Sequence, residues 1–274
     1  MLVDHPTQRV RFELKSRRVA VQRTERLTPH MQRIVFTGTD LADFASLSPD
    51  DHVKLFFPDE VAEDGGPQDG ASRNTGPGDV APRSGAPIQR RDYTPRRYDA
   101  KAQSLTIDFA LHDAGPATRW ALQAKAGDTL DFGGPRGSMV VEWSYDWWLL
   151  IGDETALPAI GRRVEEAPAG TRIITIGIVP GPEDEQRFDT RADHTALWVH
   201  RAPAQADDAA PVLQALQSLQ LPRGEGYVWA AAEAGVAKAI RAHMRDEIGH
   251  PREWTKIVGY WKKGHADAHE KFED

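Results

Sequence analysis

The sequence predicts an antiparallel β-barrel followed by a parallel α/β sheet. Three observations carry that expectation. From about Arg9 to Val140, short alternating or apolar runs are separated by turn residues. Beyond Asp146, continuous apolar runs alternate with helical stretches, as in a parallel sheet covered on both faces. The change of period falls near Glu142 to Asp146, so domains are expected at 1–142 and 143–274.

In the first half the expected strands are Arg18–Arg23, Gln32–Gly38, His52–Pro58, Ser104–Leu111 and Asp128–Phe132. Their number and spacing suit a closed or nearly closed barrel. Asp59 to Arg90 breaks the pattern with six glycines and four prolines. It holds too little apolar surface to offset its ordering entropy, so 59–90 is expected to be a mobile loop. In the second half the expected strands are Trp147–Gly152, Arg172–Val179, Thr195–His200, Gly226–Ala231 and Lys256–Trp261. Helices are expected over Ala156–Glu166, Pro211–Leu219 and Glu233–Ile248, the last stopped by Gly249. Asp153, Glu154 and Thr155 are positioned to cap the first of these.

Of the 274 residues, 40% are hydrophobic and 27% charged, a soluble globular composition. The chain has no cysteine, which excludes disulfide scaffolds, iron–sulfur clusters, cysteine-ligated zinc and thiol nucleophiles. A net charge of −7 argues against general nucleic-acid binding. Met1 to Lys15 lacks the apolar run of a signal peptide, and no run of 18 apolar residues spans a membrane. The expected location is therefore the cytoplasm, with no membrane partner. His265 and His269 are four apart in a charged tail, but no His-Glu-x-x-His occurs, and no protein-bound metal is expected.

The stretch that carries chemistry is Arg91-Asp92-Tyr93-Thr94-Pro95-Arg96. Strand alternation puts Arg91 and Tyr93 on one face and Thr94 on the other. Pro95 has no N–H to donate, so the strand should end or bulge there. Such a set suits a flavin. A guanidinium grips the pyrophosphate as a two-pronged donor, a phenol packs on the ring system, and a hydroxyl reaches ring nitrogen N5. The same residues also fit an ordinary edge strand with a solvated arginine at each end.

An arginine–aromatic–hydroxyl set on a late barrel strand, ahead of an α/β sheet, is the layout of ferredoxin-reductase-like flavoenzymes. Four further segments narrow the likeness. They are Leu27-Thr28-Pro29-His30-Met31-Gln32-Arg33-Ile34-Val35-Phe36-Thr37-Gly38, then His112-Asp113-Ala114-Gly115-Pro116-Ala117-Thr118-Arg119-Trp120-Ala121, then Gly152-Asp153-Glu154-Thr155-Ala156-Leu157-Pro158-Ala159-Ile160, and Gly259-Tyr260-Trp261-Lys262-Lys263-Gly264. With these, nearly the whole chain resembles the siderophore-interacting protein family, cytoplasmic FAD-dependent ferric-siderophore reductases.

The resemblance implies an FAD-binding barrel and an NAD(P)H-binding α/β domain. It implies FAD contacts at Arg91, Tyr93, Thr94, Asp108, His112, Gly115, Ala117, Thr118 and Trp120. The helix that starts near Gly115 would offer N–H groups and a positive dipole end to the pyrophosphate. It implies nicotinamide contacts at Asp153, Glu154, Thr155 and Glu233. A basic triad for an anionic iron chelate corresponds to Lys54, Arg136 and Lys262. The expected partner is a ferric siderophore, the donor is NADPH or NADH, and a protein donor stays open. No side chain is expected to act as nucleophile or general base, since the flavin carries the electrons. Ala230-Ala231-Ala232-Glu233 departs from the family's Ala-Gly-Glu, which tightens the nicotinamide approach. Arg187, Arg191 and Arg201 are the cations available for a 2′-phosphate. The runner-up functions are a flavin reductase or electron-transfer flavoprotein of the same superfamily, and a siderophore-binding protein without turnover.

Overall fold

The computed structural model describes residues 5–58, 88–112 and 115–265. Of the expected mobile loop, 59–87 lies outside the described residues, and its last three positions belong to a strand instead. The chain divides into two compact units.

One unit comprises Thr7–Leu27 and Met31–Val140. Its strands are β1 (Thr7–Arg11), β2 (Ser16–Thr28), β3 (Met31–Thr37), β4 (Val53–Pro58), β5 (Ile88–Tyr93), β6 (Arg97–Asp99) and β7 (Ser104–Ala110). Helix α1 (Pro116–Gln123) follows, then β8 (Thr129–Gly133) and β9 (Gly137–Val141). Among the described residues, seven strands form one antiparallel sheet in the order β5-β4-β8-β2-β3-β7-β6, and β1 pairs with β9. The sheet leaves β5 and β6 as edges, so the expected barrel has an open seam. It still curls around one core, because Tyr93 on β5 meets Phe109 on β7 with ring centroids 4.5 Å apart.

Alternation builds that core. Val19, Val21, Ile34, Phe36, Val53, Leu55, Phe57, Leu105, Ile107, Phe109, Leu130 and Phe132 face it. Each large side chain withdrawn from water contributes about 1.5–3 kcal/mol. The intervening residues face the other way and pair across strands. Arg18 donates to Asp131 at 2.6 and 2.9 Å, Arg33 to Asp108 at 2.7 Å twice, and Lys54 pairs with Asp92 at 3.0 Å.

The other unit comprises Met1–Pro6, Thr28–His30 and Val141–Asp274. It contains β10 (Trp147–Asp153), α2 (Leu157–Glu166), β11 (Arg172–Val179), β12 (Asp193–His200), α3 (Ala210–Ser218), β13 (Gly226–Glu233), α4 (Ala234–Ala242) and β14 (Thr255–Trp261). The strands form a parallel sheet in the order β12-β11-β10-β13-β14. Every residue of β10 and β13 is buried, as their unbroken apolar runs require. Trp147, Leu149 and Ile151 pack with Val212, Leu216, Val236 and Ile240 of α3 and α4. On the opposite face, Arg163 of α2 lies over Trp148, 5.1 Å from the ring centroid. The expected helix to Ile248 ends its α-helical part at Ala242 and continues as one π-helical turn, His243–Glu247.

Candidate functional site

The strand carrying Arg91 ends at Tyr93, just before Pro95. In the β4–β5 register Arg91 lies opposite Leu55, and Tyr93 opposite Val53. Both partners face the core, so Arg91 and Tyr93 share that face. Arg91 donates to the Arg90 carbonyl at 2.7 Å and to Gln89 Oε1 at 3.3 Å. The Tyr93 ring packs against Phe57 and Phe109. Burial raises the Tyr93 hydroxyl well above its ordinary pKa, with Arg91 opposing, so the phenol stays protonated. Thr94 follows the strand end and is buried.

Helix α1 begins at Pro116, with Gly115, which has no side chain to cap it, as its N-cap. The first-turn N–H groups of Ala117 and Thr118 form the positive, anion-attracting end of the helix. His112 is exposed just after β7. Trp120 packs with Phe36, Phe57 and Phe109, at centroid separations of 6.1, 5.8 and 6.1 Å, and so anchors the helix on the core. Asp108 is buried and paired with arginines. Both its oxygens accept from Arg33, and Arg96 Nε lies 3.7 Å away, because the register sets Arg33 directly opposite. Its carboxylate pairs with two arginines on the face away from the core.

Lys54 and Arg136 come from different segments yet line one hollow, with Leu14, His52, Phe56, Gly133 and Gly134. The hollow measures about 30 Å³ and is partly open. Asp51 anchors the two sides. It accepts from Ser138 Oγ at 2.6 Å, Ser46 Oγ at 2.8 Å and Ser48 N at 3.1 Å. Lys54 lies on the face opposite Arg91, paired with Asp92 at 3.0 Å. His52 and Asp92 escaped the sequence reading. The signal was present for Asp92, since alternation about Arg91 and Tyr93 puts it on the other face, where Lys54 pairs with it.

In the parallel sheet the strand order switches at β10 and β13, and ligands of such sheets bind beyond the carboxyl ends at that point. Asp153 and Glu233 stand at those ends. Asp153 is 1% exposed, and its oxygens accept from Thr155 N (3.0 Å), Thr155 Oγ1 (2.6 Å), Glu233 N (2.9 Å) and Trp261 Nε1 (2.8 Å). It thus ties the ends of β10, β13 and β14 together, rather than capping α2 as the sequence suggested. The N-cap of α2 is Ala156, without a side-chain bond. Glu233 caps α4, accepting from Gly235 N at 2.6 Å and Val236 N at 3.2 Å. Its other oxygen accepts from Lys263 N at 3.3 Å.

Glu154 accepts from Arg201 at 3.0 Å. Burial, then the Asp153 charge, push the Glu154 carboxyl up to about 7, with Arg201 opposing. Of the three candidate 2′-phosphate cations, Arg201 is buried in this pair, and Arg187 and Arg191 are exposed. Lys263 Nζ donates to Asp207 at 2.6 Å. The neighbouring Lys262 is partly buried and bridges to His265.

An antiparallel unit bearing Arg91-Asp92-Tyr93-Thr94, followed by a five-stranded parallel unit, defines a ferredoxin-reductase-like protein. The family model for the siderophore-interacting FAD-binding domain matches residues 20–139, and that for siderophore-interacting proteins matches 145–264. The NADPH-dependent ferric-chelate reductase of Escherichia coli K12 is 35% identical over 93% of this chain and 96% of its own. The ferric vibriobactin reductase of Vibrio cholerae is 31% identical over 88% of each chain. Among solved structures, a siderophore utilization protein from T. fusca is 35% identical, with a TM-score of 0.83, covering 96% of this chain and 98% of its own. The chain belongs to the siderophore-interacting protein family.

Proposed function

We propose that the chain is an FAD-containing, NADPH-dependent ferric-siderophore reductase. The observation that carries this reading is the hollow shared by Lys54 and Arg136, within a chain whose two halves match the family throughout. The name of the Escherichia coli relative supports NADPH as donor. We place the reaction in the cytoplasm because that is where reduced nicotinamide is available.

The residues present suit FAD. Arg91 supplies a planar guanidinium for the pyrophosphate, and the glycine-started helix α1 supplies N–H donors at Ala117 and Thr118. Tyr93 offers a neutral phenol held rigid by Phe57 and Phe109, and Thr94 a hydroxyl beside it. FAD held by these residues would supply a hydride acceptor at N5 that can also pass single electrons, which would match a two-electron donor to a one-electron metal. Asp153 and Glu233 fix the strand ends against which we place the nicotinamide. Lys54 and Arg136 attract the anionic face of the chelate and hold it in place. Reduction lowers the charge on iron, so hard oxygen ligands hold it less tightly.

The test is the Lys54→Ala, Arg136→Ala double variant. KM for an anionic ferric chelate should rise about tenfold or more, while NADPH still reduces the bound flavin at the wild-type rate. Equal losses in both steps would count against the hollow as the chelate site. Iron release that needs added free flavin would favour a general flavin reductase instead.

A further inference from the structure

We propose that Asp92 is a specificity-determining residue that tunes the chelate site to substrates of low net negative charge, such as hydroxamate–carboxylate chelates. The inference rests on the assignment of the chelate to the Lys54–Arg136 hollow. It starts from register. Asp92 lies directly opposite Lys54 in the β4–β5 ladder, so both side chains leave the same face. Their charged atoms are 3.0 Å apart, and the side chains are only 15% and 33% exposed. An anion drawn to Lys54 therefore meets a carboxylate one ion-pair length away and must share the ammonium with it.

The hollow presents the charged ends of two cations rather than an enclosing wall. A docked chelate is felt through its total charge. The repulsion from Asp92 grows with each negative charge on the ligand and vanishes for a neutral one. Arg90, whose guanidinium lies over Phe56 of the same hollow, adds a third cation, so Asp92 reduces the local positive excess without cancelling it. A ferric tris-catecholate carries three negative charges, and a ferric tris-hydroxamate none. Partial burial of the pair keeps solvent screening incomplete, so the carboxylate acts at short range even at ordinary ionic strength.

The experiment uses the FAD-loaded protein and NADPH, with a ferric tris-catecholate and a ferric tris-hydroxamate as paired substrates. Asp92→Asn should lower KM for the tris-catecholate about three- to tenfold and move KM for the tris-hydroxamate less than about twofold. Asp92→Glu, which keeps the charge, should retain the wild-type ratio. Asp92→Ser is the second neutral variant if the asparagine protein fails to hold flavin, and FAD content is read from the absorbance of each preparation. Equal shifts for both chelates, or an unchanged ratio in a flavin-loaded neutral variant, would overturn the proposal. The two levels of failure separate cleanly. If Lys54→Ala, Arg136→Ala leaves both KM values unchanged, the hollow is not the chelate site. If that variant raises KM for the tris-catecholate while the Asp92 ratio stays fixed, only the role of Asp92 falls.

Discussion

Burial and the neighbouring Asp153 charge make Glu154 costly to hold as an anion. Its folded pKa of about 7 stands above the ordinary 4.5, so the folded state binds more protons between those values. The stability it contributes is complete below about 4.5 and is lost as pH rises through about 7. Glu154→Gln should therefore gain stability relative to the wild type as pH goes from about 5 to 8, read from denaturant midpoints across that range. A flat difference would show that Glu154 titrates normally. Gly152 is a second sharp position. A Cβ there would meet Ala156 Cβ and come within 2.8 Å of the Ala231 carbonyl. Gly152→Ala should cost about 1–3 kcal/mol by overpacking, measured by denaturant unfolding of the flavin-free protein. Residue roles were unevenly legible. Arg91 and Tyr93 share a face because alternation demands it. The fate of Asp108 was hidden, because only register sets Arg33 against it.

At the scale of elements, Glu233 is both the last residue of β13 and the cap of α4. Glu233→Ala should destabilise by about 1–2 kcal/mol, since two N–H groups at the helix start lose their acceptor. Glu233→Gln should recover most of that in the same thermal or denaturant scan, because its amide oxygen still accepts. Element existence was largely written in the chain. Long apolar runs at 147–153, 172–179 and 226–233 leave little choice but buried parallel strands. The short strands were not legible. β6 has three residues and β1 is nearly all exposed, so neither has an apolar period to read. Both exist because a neighbouring strand supplies their hydrogen bonds, which is tertiary information.

For the whole molecule, the net charge of −7 opposes an anionic chelate at long range, while Lys54 and Arg136 attract it locally. These two effects have opposite salt dependence. In the wild type, added salt should raise KM for an anionic chelate by weakening the local attraction. In the Lys54→Ala, Arg136→Ala variant, salt should lower KM by weakening the overall repulsion. A rise in both would mean that other cations do the recruiting. The order of the two architectures was readable from the change of hydrophobic period. The grouping of Lys54 with Arg136 was not, because it depends on how β4 meets β8 in space.

Four bonds converge on the single carboxylate of Asp153, and two are donated by the amides of Thr155 and Glu233. The rim of the parallel sheet is thereby stapled at one point and should not fray strand by strand. Deuterium uptake at those two amides should be slow and should rise in step when Asp153→Asn loosens the staple, making the rim open as one cooperative patch.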